Sequence, residues 1–114
     1  QINVAKSLIS MVSLALGLFL TSQDASAQVD GGKTYNRHCA PCHGKDGKAQ
    51  TPMGKKLGVT DLSESKLDDA TALKRISEGA KSDSGSQRMP AYKERLSQEQ
   101  ITALVEFIKT FRKE

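Results

Sequence analysis

The 114-residue chain contains no tryptophan, and its two tyrosines and three phenylalanines make up only 4% of it. Phe19 falls in an N-terminal apolar segment, so Tyr35, Tyr92, Phe107 and Phe111 supply all the aromatic bulk downstream. So little large apolar volume excludes a second domain and leaves one small domain short of core. Blocks of like charge are also missing. The 17 Lys and Arg are interleaved with 13 Asp and Glu for a formal charge of +4, and the longest basic runs are pairs such as Lys55-Lys56 and Lys74-Arg75. That pattern excludes a strong nucleic-acid binder and a long acidic disordered tail. With 26% charged residues the chain is also no multi-span membrane protein. A domain this poor in large side chains needs a disulfide, a metal or a cofactor to hold it.

Residues 8–20, LISMVSLALGLFL, carry no charge and follow Lys6. At this length they suit a signal h-region better than a bilayer span of roughly 20 residues. Ala25-Ser26-Ala27 then presents small residues at the two positions a signal peptidase reads. We expect residues 1–27 to be a cleaved signal peptide, residues 28–114 to be the mature domain, and the protein to be exported to the periplasm. The alternative is an uncleaved anchor that tethers the domain to a membrane.

Both cysteines fall in one pentapeptide, Cys39-Ala40-Pro41-Cys42-His43. Four readings compete in an exported chain: disulfide, redox dithiol, zinc half-site or covalent haem. A zinc site would have to use Cys39, Cys42, His38 and His43, all within six residues, and these could hardly converge on one tetrahedron. A thioredoxin-like dithiol calls for a βαβ setting, yet residues 28–114 hold three valines and three isoleucines with no run of them. Haem gives the spacing a physical reason. Two thiols three residues apart can add to the two vinyl groups of one porphyrin, which puts the adjacent His43 beneath the iron as proximal ligand.

The sixth position on the iron decides between electron transfer and small-ligand chemistry. His38 is too near His43 in sequence to wrap round to the opposite face. Of the methionines, Met11 lies in the signal segment, and Met53 and Met89 remain. Met89 is the expected distal ligand: it is farther along the chain, and Pro90 biases it toward an extended conformation. Met53 is the alternative. A soft thioether favours ferrous iron, so His/Met ligation implies one-electron shuttling at a raised potential.

The chain reads as helical throughout. A first helix is expected over 31–40 with Asp30 as cap, followed by the glycine-rich loop HGKDGK and a turn-rich stretch over 50–58. Asp68 or Asp69 should cap a helix that stops at Gly79 and turns Leu73 and Ile76 inward. In the last helix Ser97 and Gln100 form a capping box, and Ile101, Leu104, Val105 and Ile108 make one apolar stripe that packs against the first helix through Tyr35. With that stripe used for packing, a monomer is expected. Lys45, Lys48, Lys55 and Lys56 cluster after the cysteine motif. If they ring an exposed haem edge, they would steer an acidic redox partner.

These residues resemble a short bacterial class I cytochrome c over nearly all of 28–114. The resemblance rests on GGKTYNRHCAPCHG, TPMGKKLG, DLS, LKRISEGA, RMPAY and LSQEQITALVEFIKTF, with CxxCH followed by MPAY as the specific pair. It implies an all-α fold of short helices round one covalently bound haem c, with thioethers at Cys39 and Cys42 and iron ligands at His43 and Met89. By the same resemblance, Pro52 would accept, through its carbonyl, the proton on the other ring nitrogen of His43. Gly31 and Tyr35 would pack against the last helix, and Tyr92 would sit beside the haem. The implied role is a soluble electron carrier between respiratory or dehydrogenase partners, with no enzyme activity of its own and no nucleic-acid or membrane partner beyond its redox proteins. Rival readings are a haem domain with a displaceable distal ligand, gas-binding or peroxidase-like, and a membrane-tethered subunit of an oxidase complex. Against the first, Arg88 is the only distal arginine or histidine near Met89.

Overall fold

A computed structural model describes residues 28–113. The signal-peptide expectation for residues 1–27 therefore lies outside the described residues. The elements in chain order are α1 (Gly31–His38), α2 (Ala40–His43), α3 (Pro52–Leu57), α4 (Asp69–Glu78), β1 (Ala80–Lys81), β2 (Gln87–Met89) and α5 (Gln98–Lys109). Among the described residues, no helix is long and apolar enough to cross a membrane.

The frame is the crossing of α1 with α5. Asp30 caps α1 by accepting from the Lys33 amide at 3.0 Å, and α5 opens on the expected box, with the Ser97 and Gln100 side chains each accepting from the other residue's amide. The two helices approach so closely that a Cβ on Gly31 would collide with the carbonyl of Ala103. Tyr35, with no exposed surface, packs its ring against Phe107 and Phe111 at centroid distances of 5.2 and 5.1 Å. Its hydroxyl donates to the Gly44 carbonyl at 2.7 Å, so one side chain locks α1, α5 and the end of the cysteine motif together. Burial pushes its phenol well above the usual range.

The stripe on α5 supplies the rest: Ile101, Leu104 and Val105 are buried against Ala40, Ala72, Ile76 and Leu96. On α4, capped by Asp68 through the Thr71 amide at 2.8 Å, Ile76 faces inward as expected. Its buried partner, however, is Ala72, and Leu73 is half-buried at the margin.

Two expectations change. The stretch 50–58 folds as the helix α3, with Thr51 as N-cap, Pro52 in the first turn and Gly58 as terminator. The start and stop signals are all present, but they enclose so few residues that turn chemistry is hard to tell from a helix. The fold is also not wholly helical: β1 and β2 pair antiparallel, with Ala80 opposite Met89. Gly79 makes this ribbon possible. It takes φ +73, and a Cβ there would strike the Met89 carbonyl.

Candidate functional site

A cavity of about 630 Å³ opens between α1, α4, α5, the loop after α3 and the ribbon. Its volume falls in the ordinary range for cofactor sites. Tyr35, Ile76, Leu104 and Ile108 form apolar wall. Cys39, Cys42 and His43, from the α1–α2 junction, and Met89, from β2, line it together.

The cysteine motif is presented by a short helical turn. Cys39 caps α1 and starts α2, and its carbonyl accepts from the amides of Cys42 and His43 at 3.2 and 2.9 Å. Residues three apart on such a turn share a face, so both thiols, free and half-buried, reach the cavity. Burial and then the neighbouring Cys42 push the Cys39 thiol up to about 11, which keeps it protonated near neutral pH.

His43 donates from Nδ1 to the Thr60 carbonyl at 3.2 Å. A carbonyl only accepts, so this bond places the proton on Nδ1 and leaves Nε2 with its lone pair. Burial holds the imidazole below its usual range, outweighing the Thr60 bond, which acts the other way. The expected acceptor, Pro52, is corrected here: Thr60 has that place, and Pro52 does not line the cavity. Pro52 is committed to the first turn of α3, where the adjacent Thr51 hydroxyl donates to the Cys42 carbonyl at 2.8 Å. That end of α3 touches the motif's backbone, and the imidazole reaches past it to the following loop. A backbone acceptor carries no side-chain signature, so nothing in the sequence marks Thr60.

Met89 is half-buried in β2 and lines the cavity, whereas Met53 is 46% exposed on α3 and does not. Tyr92 is buried on the cavity wall. Its hydroxyl donates to the His38 carbonyl at 3.1 Å, and the Arg95 guanidinium lies 5.1 Å from its ring centroid. The Lys45, Lys48, Lys55 and Lys56 cluster is exposed but lines none of the cavity. Lys66, Arg75, Lys81, Arg88 and Arg112 line it instead, with no Asp or Glu among the lining residues. These five are scattered along the chain, so only folding brings them together.

The family model described as cytochrome c oxidase, cbb3-type, subunit III matches residues 26–108. The chain belongs to the cytochrome c family. Cytochrome c6 of Nostoc sp. (strain PCC 7120) is 31% identical over 107 residues, covering 90% of this chain and 91% of the relative. A solved structure described as KustC0563 c-type cytochrome superposes with a TM-score of 0.64 at 34% identity, covering 75% of this chain and 100% of its own. A point mutant of that protein gives a TM-score of 0.61 at 32% identity, covering 73% and 99%. The fold is that of a short class I cytochrome c, and the cofactor is covalently bound haem c. The residues present fit that group. An apolar cavity holds two free thiols, an imidazole with a lone pair, a thioether and a cationic lining that suits a macrocycle bearing two carboxylates. A single CxxCH motif makes the complement one haem per chain.

Proposed function

We propose that this cytochrome c is a soluble, exported one-electron carrier whose haem iron is held by His43 and Met89. One observation supports the reading above others: Cys39, Cys42 and His43 line the same cavity as Met89, while the rival Met53 lies exposed outside it. When bound, haem c supplies a reversible one-electron couple between ferric and ferrous iron.

The chain's own residues do the rest. Cys39 and Cys42 would carry the two thioether bonds. His43 would bind through Nε2, its ring oriented by the Thr60 carbonyl and its basicity raised by that bond. Met89 would bind through its sulfur, a neutral ligand that favours the reduced state. Ile76, Leu104 and Ile108 would lie against the haem as apolar surface and lower the local dielectric. The lining cations Lys66, Lys81 and Arg88 are exposed. They would also favour partners with acidic docking surfaces, with encounter rates that fall as salt rises. No enzyme activity of its own is part of this reading.

Ligation is tested on ferric holoprotein by the weak red-region absorption band of methionine-ligated haem. Met89→Ala should abolish the band and lower the midpoint potential, and Met53→Ala should change neither. Retention of the band in Met89→Ala would move the ligand elsewhere. A second reading, a subunit of an oxidase complex, is favoured by the description of the matching family model. N-terminal sequencing of the protein from its native host separates the two. A start at or near Gln28 supports the carrier, and an intact segment 1–27 in a membrane fraction supports the subunit.

A further inference from the structure

We propose that Arg88 is a positioning residue that braces the Met89 strand across the cavity, and that residues 57–60 are a shared support for both sides of the site. The proposal rests on the His43/Met89 reading above. The Arg88 Nη2 donates to the Leu57 carbonyl at 2.6 Å, spanning 31 positions of sequence. Leu57 is the last residue of α3, where carbonyls lack partners within the helix and carry its partial negative charge. Gly58 leaves room for the guanidinium, since a Cβ there would stand 3.1 Å from Nη2.

Besides the core contact of Met89 itself, few bonds hold the strand to the body of the protein. Among the described residues, the other hydrogen bonds of 82–89 stay within the ribbon. Ser82 donates its amide to the Ser86 carbonyl at 2.8 Å, Ser82 and Ser84 share a hydroxyl bond at 2.8 Å, and Gln87 bonds the Ala80 and Met89 carbonyls. Residues 83–88 are all exposed. The Arg88 bond is therefore the ribbon's hydrogen-bonded tie to another element, and it sits one residue from Met89. Three residues past Leu57, Thr60 accepts from His43. One four-residue segment thus orients the imidazole through one carbonyl and restrains the Met89 strand through another.

With the brace in place, the Arg88 guanidinium is occupied by a backbone carbonyl and Met89 is held in the cavity. Without it, β2 keeps its short pairing with β1, the core contact of Met89 and the anchor beyond Pro90, where the Tyr92 and Lys93 amides bond the Ile76 and Ser77 carbonyls at 3.1 and 3.2 Å, and Met89 should yield more readily to an external ligand. Loss of a charge-assisted bond at this exposed position corresponds to about a tenfold change.

The test is titration of ferric holoprotein with imidazole, alongside the red-region band and circular dichroism. Arg88→Met, which keeps the length and loses the donors, should bind imidazole about tenfold more tightly and weaken the band. Arg88→Lys, with one reachable donor group, should fall between Arg88→Met and wild type. If Arg88→Met yields no holoprotein, Arg88→Lys carries the test with an expected increase of about threefold. Imidazole affinity within twofold of wild type, with or without a lowered melting temperature, would overturn the brace. Met89→Ala is run beside them: if it keeps the band, the ligation reading fails, and if it loses the band while Arg88 variants bind imidazole as wild type does, the brace alone fails.

Discussion

The wall that carries the cysteine motif and the wall that carries Met89 are held in different ways. Cys39, Cys42 and His43 stand where α1, α2 and α5 converge, with Tyr35 buried beneath them and bonded to Gly44. Met89 stands on a two-stranded ribbon with an exposed, serine-rich tip, joined to the helices by Gly79, the Arg88 bond and, beyond Pro90, the Tyr92 and Lys93 amides on α4. Packing dominates the first wall, and the second rests on a few hydrogen bonds and the core contact of Met89. Side-chain burial contributes through many contacts at once, whereas an exposed hydrogen bond contributes about 1 kcal/mol. The cysteine wall should therefore be expensive to perturb and the Met89 wall cheaper to open.

Mutations can break this contrast or sharpen it. The largest effect is expected from Cys39→Ala with Cys42→Ala: all haem should leave the protein on acid-acetone extraction, whereas the wild-type colour stays with the chain. Next, Gly31→Ala should force α1 from α5 because its methyl meets the Ala103 carbonyl. Overpacking of this kind costs about 1–3 kcal/mol, read by denaturant unfolding of the holoprotein. Tyr35→Phe keeps the ring packing and removes the hydroxyl bond to Gly44, leaving that carbonyl with the Gly47 amide at 3.1 Å as its donor, for a loss of about 1 kcal/mol by the same measurement. At the other extreme, Ser84→Ala at the ribbon tip should change stability by less than about 0.5 kcal/mol. A cost at Ser84 comparable to that at Gly31 would erase the distinction between the two walls.

The cysteine wall was also the more legible in sequence. CxxCH, the capping box at Ser97 and the apolar stripe on α5 are local patterns with a fixed period, and the structure reproduces the α1–α5 packing that they imply. Pro90 likewise signalled an extended Met89. What sequence could not show depended on backbone or on distance. The Thr60 carbonyl is available on any residue, so the resemblance pointed to Pro52. The cations lining the cavity come from five separated positions, so the local cluster Lys45, Lys48, Lys55 and Lys56 looked the better candidate. The ribbon leaves no mark in the sequence because two- and three-residue strands are too short for alternation to register, and α3 reads only as turn-rich because its six residues barely exceed a turn.

The scarcity of aromatic bulk now has a place in the structure. The described residues bury Tyr35, Ile101 and Leu104 completely at the α1–α5 crossing, yet Ile76, Leu104, Ile108 and Tyr92 also border a cavity of about 630 Å³. A domain of this size cannot leave such a volume unfilled and keep a stable core. The account therefore assigns to the porphyrin the place of the missing large side chains. Its most direct test is thermal unfolding of residues 28–114 produced without haem attachment, followed by far-ultraviolet circular dichroism. A broad, non-cooperative change from a largely unfolded chain is the predicted result, and a sharp cooperative transition in the haem-free protein would contradict it.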